Sequence, residues 1–119
     1  MKIKKIDKLY NAIVFENGWR LTSHHEQDCC EEHYLDFTSI EFDEVKDLDF
    51  DLENPKEIIE KVEGYGIRLK PKNGYPVAIP GYACNNGYYS SNLTLYLYDD
   101  KDHAVFTLDI TECQKWDEE

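Results

Sequence analysis

Basic charge is what this 119-residue chain lacks most. It has 13 Lys and Arg against 25 Asp and Glu, a formal net charge of −12, and its two arginines are Arg20 and Arg68. A field that negative repels the phosphate backbone of DNA and RNA and the surface of anionic membranes. Extended nucleic-acid binding is therefore excluded as the expected function. One small anion is a different matter, because a pocket can hold a diphosphate with one cation and a few backbone N–H groups. No apolar run approaches the ~18 residues of a membrane span, and the basic start, MKIKKIDKLYNAIVF, has no long apolar stretch behind it. A cytoplasmic protein is expected. Its four cysteines should then be thiols or ligands, and the adjacent Cys29 and Cys30 are not a CxxC redox pair. No internal repeat is visible.

What is present is apolar and aromatic. Hydrophobic residues make up 41% and aromatics 13% of the chain, enough for a globular core and too much for an acidic disordered tail. The length suits one domain, residues 1–119. Lys2 to Leu9 fits a strand or a lead-in. Asn11–Glu16 and Trp19–Ser23 flank Asn17-Gly18, the strongest short hairpin signal, with both turn residues expected at φ > 0. Thr38 to Glu53 is acidic and is expected to present a solvated face with part in a short helix. Asn54-Pro55 should open a helix, with Ile58, Ile59 and Val62 on its buried face and Gly64 ending it.

Tyr65 to Lys70 reads as a strand with Tyr65, Ile67 and Leu69 on one side and Arg68 on the other. Pro76 and Pro80 bracket Val77 to Ile79, expected to be an edge strand or an extended link. Leu93, Leu95 and Leu97 alternate with Thr94, Tyr96 and Tyr98. After a turn at Asp99 to Asp102, Ala104, Phe106, Leu108 and Ile110 alternate again, giving a second hairpin. Cys113 to Glu119 reads as a polar tail carrying Trp116. The sum is an α+β fold, dominated by antiparallel β-sheet with one or two short helices.

Two stretches carry candidate chemistry. Gly81 to Leu95, GYACNNGYYSSNLTL, reads as a binding loop feeding a strand. Tyr82, Tyr88 and Tyr89 offer flat faces with polar tips, Asn85, Asn86 and Asn92 with Ser90 and Ser91 offer adaptable donors and acceptors, and the glycines let backbone approach a ligand. A hairpin loop whose tyrosines cover a core edge would have the same composition. Ser23 to Phe37, SHHEQDCCEEHYLDF, crowds His, Cys, Asp and Glu as metal sites do. If it were helical, His25, Cys29 and His33 would share one face. No second Cys/His cluster completes a zinc set, so a polar turn with buried thiols and acid-bonded histidines is the expectation, with no metal and no cofactor.

The segments His25-Glu26-Gln27-Asp28-Cys29-Cys30-Glu31 and Val62-Glu63-Gly64-Tyr65-Gly66-Ile67-Arg68-Leu69, the latter running on to Asn86-Gly87-Tyr88-Tyr89-Ser90-Ser91-Asn92-Leu93, together resemble the first type of viral Thoeris anti-defence protein over nearly the whole chain. The resemblance implies a phage sponge acting in the cytoplasm of the infected bacterial host. Such proteins bind, without degrading, the cyclic ADP-ribose isomers made by Thoeris TIR enzymes. They form dimers and hexamers built from dimers, with pockets at the dimer interface, and some members also bind cyclic oligonucleotides of the CBASS kind. The family's pocket uses an aromatic ring and an asparagine, matched by Tyr82 and Asn92. It also uses an arginine near the C-terminus. This chain has none after Arg68, which leaves Arg68 or Lys115 for that role.

The residues themselves allow such a ligand: a purine on Tyr82, Tyr88 or Tyr89, a ribose hydroxyl or base edge on Asn92, and a diphosphate on Arg68 with backbone N–H groups from Asn86 to Ser91. Two other functions compete. His24, His25, Asp28 and Glu31 could serve a hydrolase of the same signal. The dense acid of Glu41 to Glu53 could serve a decoy that blocks a nucleic-acid-binding defence complex, whose binding should fall steeply with salt.

Overall fold

The computed structural model describes residues 1–26, 31–84 and 91–116. Among these residues, ten strands build two five-stranded sheets around one apolar core. The first sheet runs β1 (Ile3–Asp7), β2 (Ala12–Phe15), β3 (Arg20–His24), β8 (Thr94–Tyr98) and β9 (Ala104–Asp109), in the order β1-β2-β3-β8-β9, with every neighbouring pair antiparallel. The second contains β4 (Glu32–Leu35), β5 (Ile59–Val62), β6 (Gly66–Leu69), β7 (Val77–Cys84) and β10 (Lys115–Trp116), in the order β10-β7-β6-β5 with β4 also on β7. Two one-turn helices, α1 (Phe42–Val45) and α2 (Pro55–Ile58), and a 3-10 turn at Phe37–Ser39 complete it. The α+β class, dominated by antiparallel sheet with two short helices, is what the periodicity predicts. Among the described residues no helix is long and apolar enough to cross a membrane.

Period-two alternation places the core. Leu93, Leu95 and Leu97 are buried, as are Ile13, Phe15 and Leu21 from the first hairpin. Ile67, Leu69 and Ile79 answer from the second sheet, and Phe15 meets Phe50 edge-on at 6.2 Å between ring centroids. Both predicted hairpins form. The first turn is of the three-residue kind: Gly18 N–H donates to the Phe15 carbonyl, Phe15 N–H donates to the Trp19 carbonyl, and Gly18 takes φ +87°. Asn17 stays out of the positive-φ region that the two-residue turn would demand, and its side chain accepts from Trp19 N–H instead. In β9 the alternation is right, but only Ile110, just beyond it, is buried. Phe106 and Leu108 are half-exposed because β9 is the sheet's outer strand.

Four expectations are corrected. The helix at Asn54-Pro55 lasts one turn, and Ile59–Val62 is strand β5, antiparallel to β6. The β-branched Ile59 and Val62 favour a pleated partner, and the Asn54 amide donates to Asp51 rather than capping the helix. Tyr65 belongs to the β5–β6 turn and not to the core side of β6, its N–H bonding the Val62 carbonyl. Val77 to Ile79 keeps the expected edge character, paired with β6 alone, although β7 as a whole is the centre of its sheet. The proline is tolerated because β7 changes partners there: Val77–Pro80 pair with β6, and Gly81–Cys84 pair with β4 and β10. Pro80 needs only its carbonyl, which accepts from Asp36 N–H, while Gly81 N–H donates to the Tyr65 carbonyl. Gly81 to Cys84 is therefore strand, not loop. Finally, the polar tail is structural: Cys113 and Gln114 are buried, and Lys115–Trp116 add a parallel strand to β7.

Two glycines make this crossing possible. A Cβ on Gly66 would lie 2.0 Å from the Ile79 carbonyl oxygen, and one on Gly81 would lie 2.4 Å from that of Cys113. Both obstacles are backbone, which cannot swing aside. Gly66→Ala should therefore destabilise the fold by at least the ~1–3 kcal/mol typical of overpacking. Urea unfolding should show a lower midpoint at unchanged slope, and an unmoved midpoint would contradict the close approach.

Candidate functional site

The end of β7 that holds Gly81 to Cys84 presents two different surfaces, back to back. Across β4, β7 and β10, Tyr34, Tyr82 and Lys115 stand in one row, while His33, Ala83 and Trp116 stand in the next. Successive residues point to opposite faces. The first row faces out; in the second, His33 and Ala83 are buried and Trp116 extends to the surface.

On the outer face, the Tyr34 and Tyr82 rings lie 5.7 Å apart at a 41° tilt. The Lys115 ammonium sits 5.0 Å from the Tyr82 centroid and 4.9 Å from that of Tyr65. Both distances are within cation–π reach, and each such contact at an exposed site contributes about 0.5–1 kcal/mol. The result is a solvent-facing platform of three tyrosines with one cation seated between two of them. Arg68 shares this side of the sheet but is opposite Ala78, four residues along β7 from Tyr82, a distance of ~13 Å along the strand. Its guanidinium is paired with Glu60 at 2.7 Å. The cation beside Tyr82 is therefore Lys115, not Arg68.

On the inner face is a histidine cluster. The His25 and His33 rings are 4.4 Å apart between centroids, and Trp116 meets His33 edge-on at 5.8 Å. His25 directly follows β3 and His33 lies on β4, so it is the packing of strands from two different sheets and not a helical face that brings them together. Glu31, 1% exposed, approaches His25 Nε2 at 3.3 Å. Gln114 closes the other side. Its Nε2 donates to the carbonyls of Ser91 and Thr111 at 2.9 and 2.8 Å, which fixes Oε1 toward His33 Nδ1 at 2.6 Å. An amide oxygen only accepts, so His33 carries its hydrogen on Nδ1. A cleft of about 450 Å³, lined among others by His24, His25, Glu31, His33 and Tyr34, opens onto this cluster. Among the described residues no group of three or more His, Cys, Asp or Glu side chains is arranged to hold a metal ion.

The sequence-predicted residues are thus divided. Tyr82 is on the outer platform. Asn92 is tied to the inner cluster, its carbonyl and Oδ1 lying 2.6 and 2.7 Å from His25 Nδ1. Ser91 offers its carbonyl to Gln114. Tyr82 and Asn92 therefore serve opposite faces of the sheet within one chain. Asn86, Tyr88, Tyr89, Asp28, Cys29 and Cys30 lie outside the described residues. Sequence reasoning missed Tyr34, Tyr65 and Gln114. Tyr34 was findable, since Glu32-His33-Tyr34-Leu35 alternates as a half-buried strand does. Nothing local marks Gln114, whose partners are 3, 23 and 81 residues away.

Burial pushes the His33 imidazolium's pKa below the ordinary 6.5, and the neighbouring His25 adds to this against the opposing pull of Gln114 and Glu31. A depressed pKa means that the unfolded chain binds more protons between the two values. Stability from His33 is complete above about pH 6.5 and is lost as pH falls through the folded value. Unfolding measured from pH 7.5 down to 5 should show this loss, and His33→Gln should remove that component of the slope. Gln114→Leu should cost about 1–3 kcal/mol for each buried group it leaves without a partner. A stability equal to wild type would contradict the network.

The family model described as a domain of unknown function, DUF7448, matches residues 1–95, which include β1 to β7 and the start of β8, with His25, His33, Glu31, Tyr34, Tyr82 and Asn92. No curated protein and no solved structure matches the chain. On the extent of the match, four-fifths of its length, this chain belongs to the DUF7448 family.

Proposed function

We propose that the protein is a non-catalytic sponge that binds and sequesters a cyclic ADP-ribose-type signal in the cytoplasm of an infected bacterial host. The observation that carries this reading is the outer platform, Tyr34, Tyr82 and Tyr65 with the Lys115 ammonium between two of the rings. Purine stacking needs an exposed aromatic face, and a diphosphate needs a cation held beside it. Lys115 takes the part that the resemblance to Thoeris anti-defence proteins gives to a C-terminal arginine. As a point charge it neutralises phosphate without the bidentate geometry of a guanidinium.

The placement of Asn92 also bears on assembly. If Tyr82 and Asn92 both touch one ligand, as the resemblance implies, they do so from different chains. A homodimer, or a hexamer built from dimers, brings the outer face of one copy to the Asn92 side of another. Light scattering that shows a monomer at micromolar concentration, with and without signal, would remove this part of the reading.

The hydrolase reading keeps one observation in its favour, the cleft bounded by His24, His25, Glu31 and His33. The fate of the ligand separates the two. Titration with a cyclic ADP-ribose isomer should show binding, and heating the complex should release the signal intact by mass spectrometry. A cleaved product would assign the activity to the cleft. Tyr82→Ala should weaken binding by one to two orders of magnitude, matching the ~1–3 kcal/mol of a stacked base. Lys115→Ala should weaken it less and make it less sensitive to salt. Full-strength binding by Tyr82→Ala would overturn the platform as the site.

A further inference from the structure

The half of β7 that precedes its change of partners has one side uncovered. Val77–Pro80 pair with β6, while β4 and β10 join only from Gly81 onward. Along a strand, the backbone groups of successive residues point to opposite sides. Gly81 N–H donates to the Tyr65 carbonyl, on the β6 side, and the Pro80 carbonyl accepts from Asp36 N–H, on the other. Ala78, two residues earlier, repeats the orientation of Pro80. Its N–H and carbonyl therefore point away from β6, as does the carbonyl of Pro76. Among the described residues no strand pairs with them on that side, and Ala78 is exposed. Other edges are blunted: β1 carries Lys4 and Lys5, β5 carries Glu60 and Lys61, and β9 is irregular in register beside Tyr98. Val77–Ile79 has neither charge nor irregularity.

This edge is one wall of a groove of about 450 Å³, in which Tyr75, Pro76, Val77 and Ala78 face the segment around α1. On that segment Ile40, Val45 and Leu48 are apolar, and Glu41 and Glu44 are exposed. Local bonds fix one wall to the other. The Asn73 side chain accepts from Asp49 N–H at 2.8 Å and donates to the Asp47 carbonyl at 3.0 Å, and Lys72 N–H donates to the Asp49 carbonyl at 2.7 Å. Gly74 comes so close that a Cβ there would lie 2.6 Å from Leu48. The charge is of one sign. Among the described residues no Lys or Arg lines the groove, and Lys46 lines a different cleft with Lys2 and Lys4.

We propose that this groove takes an extended, basic peptide segment of a partner protein as an added strand. Ala78 N–H and carbonyl bond the main chain of the peptide, and the Pro76 carbonyl accepts one further N–H. Apolar side chains of the peptide meet Ile40, Val45 and Leu48, and its Lys or Arg side chains meet Glu41 and Glu44. A net charge of −12 repels a second copy of the same chain, so the complementary occupant is a cationic partner. The groove lies on the other half of β7 from Tyr82 and does not depend on the proposed ligand.

The experiment titrates the ¹⁵N-labelled full chain with a short acetylated, amidated peptide of alternating lysine and valine, and with its glutamate–valine counterpart. The lysine peptide should bind at least about ten-fold more tightly, because like charge opposes the other. Ala78 N–H should shift and gain protection from exchange. Ala78→Pro removes that donor and should weaken binding about two- to ten-fold, the worth of one hydrogen bond. Glu41→Lys with Glu44→Lys should weaken it further and reduce its salt dependence. Equal binding of the two peptides would overturn the proposal. So would undiminished binding of a lysine peptide methylated on its main-chain nitrogens, which would leave only surface charge. Protection of Ala78 N–H that rises with protein concentration and no peptide would assign the edge to a second copy instead. If Ala78→Pro fails to fold, the methylated peptide decides the role of the backbone.

Discussion

Most of this structure depends on one strand changing its partners in mid-course. β7 pairs with β6 up to Pro80 and with β4 and β10 from Gly81 onward. The exchange needs backbone to pass closer to backbone than any side chain permits, at Gly66 and at Gly81. It also needs a residue that can do without one ladder donor, which proline is. With those three residues in place, the N-terminal β4, the central β6 and the C-terminal β10 all attach to one element. Segments far apart in sequence then share a sheet, and the groups they carry meet at its two faces.

What is brought together differs by face because the strand alternates. Tyr82 points out and Ala83 points in, so each face inherits one residue from each neighbouring strand. The outer row gains an aromatic from β4 and a cation from β10. The inner row gains a histidine and a tryptophan, with an alanine between them small enough for the rings to approach the cluster. The C-terminal segment is fixed against this arrangement by local bonds as well. Thr111 is bonded through both its N–H and its hydroxyl to Asp109, and its hydroxyl also receives Leu93 N–H. Gln114 then reaches Ser91, Thr111 and His33 at once.

Legibility in the sequence followed the range of the interactions. Leu93, Leu95 and Leu97 declared a strand because each is buried by the same alternating rule, and the hairpins at Gly18 and Asp102 needed only their own turns. The helix expected at Pro55 opens there but stops after one turn, because propensity is outvoted by the pairing of Ile59–Val62 with β6. In β7 the two prolines marked Val77–Ile79 correctly as an edge, but Gly81–Cys84 read as loop because the switch of partners that makes it central is a tertiary fact. At the site, Tyr82 and Asn92 were readable as aromatic and amide. That they serve opposite faces was not, since their separation comes from the pleat of β7 and from the bond between Asn92 and His25. Lys115 looked like part of a polar tail because nothing near it in sequence reveals the two tyrosine rings that hold it.

The two faces also differ in what chemistry they can perform. A general base needs a lone pair aimed at a substrate proton, with its protonation free to change during turnover. His33 commits Nδ1 to a glutamine whose orientation is itself fixed by two carbonyls, and His25 commits both nitrogens, to Asn92 and to Glu31. Such groups are well placed to hold chain segments together and poorly placed to exchange protons with a guest. The outer tyrosines and Lys115 have the opposite character. They offer aromatic faces and a charge. Stacking and charge neutralisation bind a nucleotide-like ligand without activating any of its bonds. On the proposed reading, the outer face would retain a ligand and the inner face would hold the chain together.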